Sequence, residues 1–187
     1  DYLTVGAAVG VSPRFEGSDD YRLFPGGALI GSVGGVEFQA RGPGINVDLI
    51  PDAPRAKVGF IAGPVVRIQS NRDDKAADIK DAPVAALGRL DTAVEVGAEV
   101  GVKVGRVLSP VGSLTAGVEA RWDVAGAHKG RVIAPRLTYF TPLSYALAAS
   151  LSVQADHSDD AYNDYYFSVT PSGATVSGLP AYKAKGG

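Results

Sequence analysis

The sequence contains no cysteine and no methionine, and it has only two histidines and one tryptophan. The lack of cysteine excludes a disulfide framework and thiolate metal sites. A net charge of -2 provides no electrostatic support for nucleic-acid binding. Apolar runs stay well short of the roughly 20 residues that a membrane helix requires. If the chain enters a membrane, it therefore crosses with strands.

The 187 residues show no shift in composition, which favours a single domain over 1–187. The chain starts directly in a strand-like segment, DYLTVGAAVGV, without the basic and apolar regions of a signal peptide, so we expect a mature form. It ends in KAKGG, which is neither a strand nor an aromatic terminus. We expect this end to be a loop or the chain to be incomplete at its C-terminus.

Residues 90–105, LDTAVEVGAEVGVKVG, alternate between two kinds of side chain. The even positions from 94 to 104 are valine or alanine, whereas the odd positions carry charge or glycine. Such a period of two predicts a strand with one apolar face. The same pattern returns at 58–69, 114–124 and 145–156. Repeated segments of about ten residues with this alternation are typical of transmembrane β-barrels.

The pattern predicts ten strands, at 2–11, 23–32, 36–41, 45–50, 57–69, 91–105, 113–124, 131–141, 145–156 and 165–170. The connections then fall into two sets, one with the long loops (12–22, 70–90 and 157–164) and one with short turns. Bacterial outer-membrane barrels show this arrangement, with the long loops outside. This division of the connections requires a tight GPG turn at 42–44, where the apolar positions change from even to odd residue numbers. A bulge in one long strand would also explain that change.

The fold class expected from these features is all-β, an antiparallel up-and-down transmembrane β-barrel with about ten strands in this chain. Pro64 and Pro135 lie within predicted strands, which is unusual for fully paired ones. We predict two aromatic girdles, the first from Tyr139, Phe140 and Tyr145, and the second from Tyr162, Tyr165, Tyr166 and Phe167. The alternative is that these aromatics form the core of a soluble β-sandwich that acts as a binding module.

Charged residues at the polar positions of the strands are the candidate lumen-facing residues of such a barrel. They are Glu37, Arg41, Arg67, Glu95, Glu99, Lys103, Glu119, Arg121 and Asp123. They could line a wet pore and set its ion preference, or pair across strands and plug the lumen.

The sequence contains no recognisable catalytic or cofactor motif, and we expect no cofactor and no enzyme activity. Asp156, His157 and Ser158 match a triad only in composition, since neighbours on a strand point apart. Two acidic loops invite a cation site, one with Glu16, Asp19 and Asp20 and the other with Asp159, Asp160 and Asp164. We favour solvated loop tips that repel each other, because the spacing does not fit a single-loop calcium site, and predict no metal.

Four segments resemble the MltA-interacting protein (MipA) and OmpV-like family of outer-membrane proteins: RFEGSDDYRLFPGGAL (14–29), LDTAVEVGAEVGVKVG (90–105), DDAYNDYYFSV (159–169) and SGLPAY (177–182). The motif loop of this resemblance comprises Glu16, Gly17, Ser18, Asp19, Asp20 and Tyr21. The resemblance implies a barrel of twelve strands, two of them following residue 182.

The resemblance also implies a function and a location. It suggests a bacterial cell outer-membrane protein that works as a non-enzymatic scaffold, holding a murein transglycosylase and a peptidoglycan synthase at the membrane. A porin-like channel for small solutes is the alternative. The partners expected on this basis are outer-membrane lipid, lipopolysaccharide and these two enzymes, and no nucleic acid.

Overall fold

A computed structural model describes residues 1–40, 42–53, 56–72, 79–144 and 147–187. The strands are β1 (Tyr2–Pro13), β2 (Tyr21–Val33), β3 (Val36–Ala40), β4 (Gly44–Asp48), β5 (Val58–Gln69), β6 (Ala93–Gly105), β7 (Ser113–Asp123), β8 (Arg131–Pro142), β9 (Ala148–Gln154) and β10 (His157–Ser158). The helices are α1 (Ala82–Ala86), α2 (Asp160–Phe167) and α3 (Pro171–Ser177).

The strands form one antiparallel sheet in which β1 to β8 pair in sequence order, and both β9 and β10 pair with β8. The sheet is curled into a half-barrel, which confirms the all-β class expected from the alternation. The meander places loops 14–20 and 124–130 and the described parts of loop 70–92 at one end, here called the long-loop end. Connections 34–35 and 106–112 and the described parts of connections 49–57 and 143–147 lie at the opposite, short-turn end.

The direction of the curl follows from one contact. Asn46 of β4 and Glu119 of β7 are three strands apart, yet the Asn46 Nδ2 lies 2.9 Å from the Glu119 Oε1. Neighbouring strands are spaced by about 4.8 Å, so a flat sheet would hold these two backbones roughly 14 Å apart. The sheet therefore bends toward the face that carries these two side chains, which we call the concave face, and the opposite face is convex.

The predicted alternation of side chains matches these two faces. In β6 the side chains of Glu95 and Glu99 are buried on the concave face, whereas Val100 on the convex face is 59 % exposed. In β5 Val65, on the concave face, is fully buried, whereas Phe60 on the convex face is 61 % exposed. The charged side chains of β6 thus occupy the sheltered face and the large apolar ones the open face, the reverse of a soluble sheet.

Nine of the ten predicted strands are present within a few residues, but the predicted strand at 165–170 is wrong. The first half of that segment belongs to α2, which begins after Asp159, whose side chain accepts a hydrogen bond from the Tyr162 backbone N–H at 3.0 Å. An aspartate at this position satisfies one of the free N–H groups at the start of a helix. The local N-cap therefore decides the conformation, over the strand preference of the aromatic residues that follow.

The GPG turn between β3 and β4 is confirmed, because Glu37 pairs with Asp48 in an antiparallel register and Gly42 has a φ of +51°. The two prolines lie where pairing to one neighbour is interrupted. The β4–β5 ladder ends at Val65, just before Pro64 is reached. Likewise, the β8–β9 ladder stops at Arg136, beside Pro135. Their missing N–H groups therefore fall at breaks in the ladders.

The helices cluster at the long-loop end, where α1 packs on α3. Asp81 caps α1 through the Val84 N–H, and Thr170 caps α3 through the Gly173 N–H. Among the described residues, no helix has the length and apolar character needed to cross a membrane.

Candidate functional site

A buried group of charged side chains occupies the centre of the concave face. Its middle is a pair of like charges, because Glu99 of β6 lies directly opposite Glu119 of β7 in the register. Only 2 % of Glu99 and 1 % of Glu119 is exposed. Directly opposed like charges destabilise a pair of strands, and burial increases the cost. This arrangement therefore requires compensating cations.

Three arginines from three strands provide that compensation around Glu119. Its Oε1 accepts from Arg67 Nη2 at 2.8 Å and from Arg136 Nη1 at 2.9 Å, in addition to the Asn46 amide. Its Oε2 accepts from Arg121 Nη1 at 2.8 Å. Arg67 Nη2 also donates to the Asn46 Oδ1 at 2.6 Å. Glu119 is thus the hub that joins β4, β5, β7 and β8.

The other two carboxylates are held in the same way. Glu99 accepts hydrogen bonds from Asn46 and Arg136. Glu95 accepts from Arg121 Nε at 2.9 Å and contacts His128 Nε2 at 3.2 Å. The group, which we call the concave network, consists of Asn46, Arg67, Glu95, Glu99, Glu119, Arg121, His128 and Arg136. Its three carboxylates and three guanidinium groups balance in charge.

The hydrogen bonds of His128 define its protonation. The Gly130 backbone N–H donates to His128 Nδ1 at 3.0 Å, so this nitrogen carries a lone pair. Nε2 therefore bears the hydrogen, and the neutral ring donates to Glu95. The side chain is fully buried. His128 thus joins the 124–130 loop to the network without adding charge.

Helix α2 covers the long-loop end of the network with aromatic rings. Tyr162 meets the His128 ring edge-on, with centroids 4.8 Å apart, and Tyr166 lies 5.6 Å away. Both tyrosines are buried against Val132. Burial is the main cause that raises the pKa of Tyr162 and of Tyr166 above the usual range of a phenol. The Gln69 amide donates to the Tyr162 hydroxyl at 3.1 Å.

The predicted second aromatic girdle is therefore wrong for Tyr162 and Tyr166, which lie in an internal cluster with Tyr165 and Phe167 packed beside them. The helical spacing of these rings, combined with the Asp159 cap, turns them toward the concave side instead of the convex rim. Of the first predicted girdle, Tyr139 and Phe140 are adjacent in β8 and face opposite sides of the sheet, and Tyr145 is outside the described residues.

The structure brings five of the nine charged candidates together in the network: Arg67, Glu95, Glu99, Glu119 and Arg121. Glu37 and Lys103 lie on β3 and β6 and make none of the network contacts just described. The Asp123 carboxylate instead accepts from the Ala125, Gly126 and Lys129 backbone N–H groups and closes the 124–130 turn. Arg41 lies outside the described residues.

Sequence reasoning missed Asn46, His128 and Arg136. The same alternation contains the signal for two of them. Asn46 stands between the convex residues Ile45 and Val47, and Arg136 stands between Pro135 and Leu137. His128 is different, because it belongs to a loop where no period applies. Only the folding of the 124–130 turn brings it to Glu95.

In the first acidic loop Asp20 has protein partners of its own, and the expected repulsion between the two loop tips stays a prediction. Asp20 pairs with Arg14 Nε at 2.9 Å and with Lys80 Nζ at 2.6 Å, linking loops 14–20 and 70–92. These contacts hold the pKa of Asp20 below its usual range, with the Lys80 hydrogen bond as the largest cause. In the motif loop, the Glu16 N–H also donates to the Asn71 Oδ1 at 3.3 Å.

In the second acidic loop, the carboxylates serve the helix and the tail. Asp159 caps α2 and also accepts a hydrogen bond from the Arg131 N–H at 3.0 Å. Asp164 accepts one from the Ser168 hydroxyl at 2.7 Å. Asp160 accepts one from the Gly186 N–H of the tail at 2.6 Å. Within the ranges that the structure describes, no three His, Asp or Glu residues are arranged to hold a metal ion.

Chemically, the concave network neutralises its own buried charges and cross-links the strands that carry them. Each carboxylate oxygen that would act as a base is engaged by a guanidinium, amide or imidazole donor. The adjacent Asp156, His157 and Ser158 do not converge, since His157 is exposed while Ser158 is buried and accepts from Asn163 Nδ2 at 2.7 Å.

In a comparison with known proteins, the family described as "MltA-interacting protein MipA" matches residues 5–187, nearly the whole chain. Neither a curated protein nor a solved structure matches the chain.

Proposed function

Because the chain belongs to the MltA-interacting protein (MipA) family, we propose that it is an outer-membrane β-barrel protein that acts as a non-enzymatic scaffold of the cell envelope. In this role it links peptidoglycan-remodelling enzymes to the outer membrane. The family's name supports a murein transglycosylase as one partner. A peptidoglycan synthase is the second enzyme that we propose.

The concave network is the observation that favours a scaffold over a channel. An ion-conducting pore presents charged side chains to water so that they act on passing ions. Here the side chains of Glu119, Arg121 and Arg136 are 1 %, 9 % and 8 % exposed, and each is bound to an opposite charge. Small barrels commonly fill their interior with side chains. The network therefore acts as a plug.

The convex face supports the proposed membrane location. Its large apolar side chains are open to the surroundings, including Phe60 at 61 %, Val100 at 59 % and Leu151 at 71 % exposure. Across β4 to β9, the convex positions within the described residues carry only one charged side chain, Arg131, at the long-loop end. Lipid tails are the surroundings that such a band requires, and lipopolysaccharide is proposed as the outer contact.

Two measurements on the full chain test the proposal. In planar bilayers we expect no stepwise conductance, with a bacterial porin as the positive control. In a binding assay we expect the detergent-solubilised protein to bind purified murein transglycosylase MltA. Stepwise conductance of the wild type would contradict the plug and favour the channel, and absence of transglycosylase binding would contradict the scaffold.

A further inference from the structure

Two neighbouring turns at the short-turn end expose large apolar side chains. Turn 106–112 presents Leu108 at 89 % and Val111 at 62 % exposure, and the described residues of the turn between β8 and β9 include Leu143 at 60 % and Leu147 at 59 %. We call these four residues the turn patch. Single exposed apolar residues are ordinary, whereas a contiguous group marks a place of interaction.

The two turns that carry the turn patch are neighbours in the fold. The Ser109 and Thr141 hydroxyl groups are hydrogen-bonded at 3.2 Å. Ser113, where β7 starts, pairs directly with Phe140 near the end of β8. The two turns therefore lie side by side on adjacent strands.

The backbone of the first turn holds Leu108 in an unfavourable conformation. Its φ is +59°, and that of Arg106 is +61°. Bulky side chains rarely adopt this left-handed region, which suits glycine and asparagine. Hydrogen bonds from the Val107 N–H to the Gly112 oxygen and from the Gly112 N–H to the Ser109 oxygen close the turn. Strain of this kind persists mainly at functional positions, and here it keeps a leucine fully open to the surroundings.

Two positive charges lie beside the turn patch. Arg106 is exposed at the start of the first turn. Lys57, also exposed, lies beside it, because its carbonyl accepts from the Gly105 N–H at 2.7 Å. A complementary partner therefore presents apolar side chains bordered by carboxylates.

We propose that the turn patch is the docking surface for the murein transglycosylase, an inference that rests on the scaffold function proposed above. In bacterial barrels the short turns face the periplasm, where enzymes that act on peptidoglycan work. The partner binds through an apolar segment that covers Leu108 and Leu143, with acidic residues placed against Arg106 and Lys57.

The first test measures the affinity of the detergent-solubilised full chain for purified MltA. The variant combines Leu108→Asn, which suits the left-handed backbone, with Leu143→Ser. We expect affinity to fall on the order of tenfold or more, with an unchanged or higher unfolding temperature. The matched control is Val176→Asn, since Val176 on α3 is 66 % exposed at the opposite end of the sheet. The control should bind like the wild type.

The outcomes separate the two proposals. If the wild type binds and the double variant binds equally well, the turn patch is not the docking surface and the scaffold function stands. If the wild type does not bind, both proposals are overturned. Binding that weakens in the double variant alone supports the docking surface.

A second test distinguishes a protein partner from lipid as the cover of the patch. The chain has no cysteine, so Leu108→Cys introduces one unique thiol. In nanodiscs, a water-soluble maleimide should label it, and MltA should protect it. A thiol that stays unlabelled before MltA is added would mean that lipid covers the patch and would overturn the inference. Asp19→Cys, at the long-loop end, should label in both conditions.

Discussion

Replacement of Glu119 by glutamine tests the concave network at its hub. Among the contacts described above, the wild-type carboxylate accepts three hydrogen bonds at Oε1 and one, from Arg121, at Oε2. The least costly orientation of the amide places its NH₂ group at the Oε2 position, facing Arg121. That orientation loses one charge-assisted bond, sets two donors against each other and leaves three guanidinium groups with two carboxylates.

The expected loss is about 3 kcal/mol of unfolding free energy, at the lower end of the roughly 3–5 kcal/mol for removing one partner of a buried ion pair. For a chain of this size, that corresponds to a fall in unfolding temperature of about 6–12 °C. The measurement is thermal or urea unfolding in detergent, followed by fluorescence of Trp122, the only tryptophan. Glu37→Gln is the matched control, because this change lies outside the network and should stay within about 0.5 kcal/mol of the wild type.

Arg67→Gln in the same background completes the experiment. The double variant restores neutrality, so its cost should be smaller than the sum of the two single costs. A Glu119→Gln loss below about 1 kcal/mol, or costs that simply add, would refute the view that the network is a coupled, charge-balanced unit.

Three further predictions follow from the faces and from α2. Val100→Arg should prevent membrane assembly, measured by heat-modifiable gel mobility, since a cation on the convex face at mid-membrane costs roughly 2–4 kcal/mol. Lys103→Gln, on the concave face, should assemble normally. Equal behaviour of both variants would contradict the assignment of the faces. Asp159→Ala should lower stability by about 1 kcal/mol through loss of the α2 cap, with partial recovery in Asp159→Asn; an unchanged unfolding temperature would show that the cap is dispensable. The raised pKa values of Tyr162 and Tyr166 favour the neutral phenols in the fold, so their contribution to stability is complete below about pH 10 and declines as pH rises further. Unfolding measured from pH 8 to pH 11 should show this decline, and replacing both tyrosines by phenylalanine should reduce it. An identical decline in that variant would assign the effect to other groups.

The sheet could be predicted from the sequence because a period of two in β5 to β7 leaves little choice of face. Val58, Val96 and Val118 fall on the same side in every register that keeps the apolar residues together. The helix α2 could not be predicted in this way. Its aromatic residues have a high strand preference, and what decides its conformation is one hydrogen bond, which the Tyr162 backbone N–H donates to the Asp159 side chain.

The network could be predicted only in part, for a geometric reason. Periodicity indicates which face a residue such as Arg67 occupies, but not which distant residue it meets. Contacts such as Asn46 to Glu119 depend on how tightly the sheet curls, and this depends on the packing of all the strands. The acidic loops show the same limit, because Lys80 lies 60 positions from Asp20 and reaches it only in the fold.

The network residues of β6 occupy alternate positions along the strand, and this spacing helps to set the strand register during assembly. Backbone hydrogen bonds are satisfied about equally well if β6 slips by one residue against its neighbours. Such a slip would turn Glu95, Glu99 and Lys103 outward and bring valines against Arg67 and Arg121. The misaligned strand would then place ionised groups on the apolar convex face and leave buried cations without partners. Charge balance on the concave face therefore favours the native strand register energetically, although the backbone hydrogen bonds alone would not distinguish it from a slipped one.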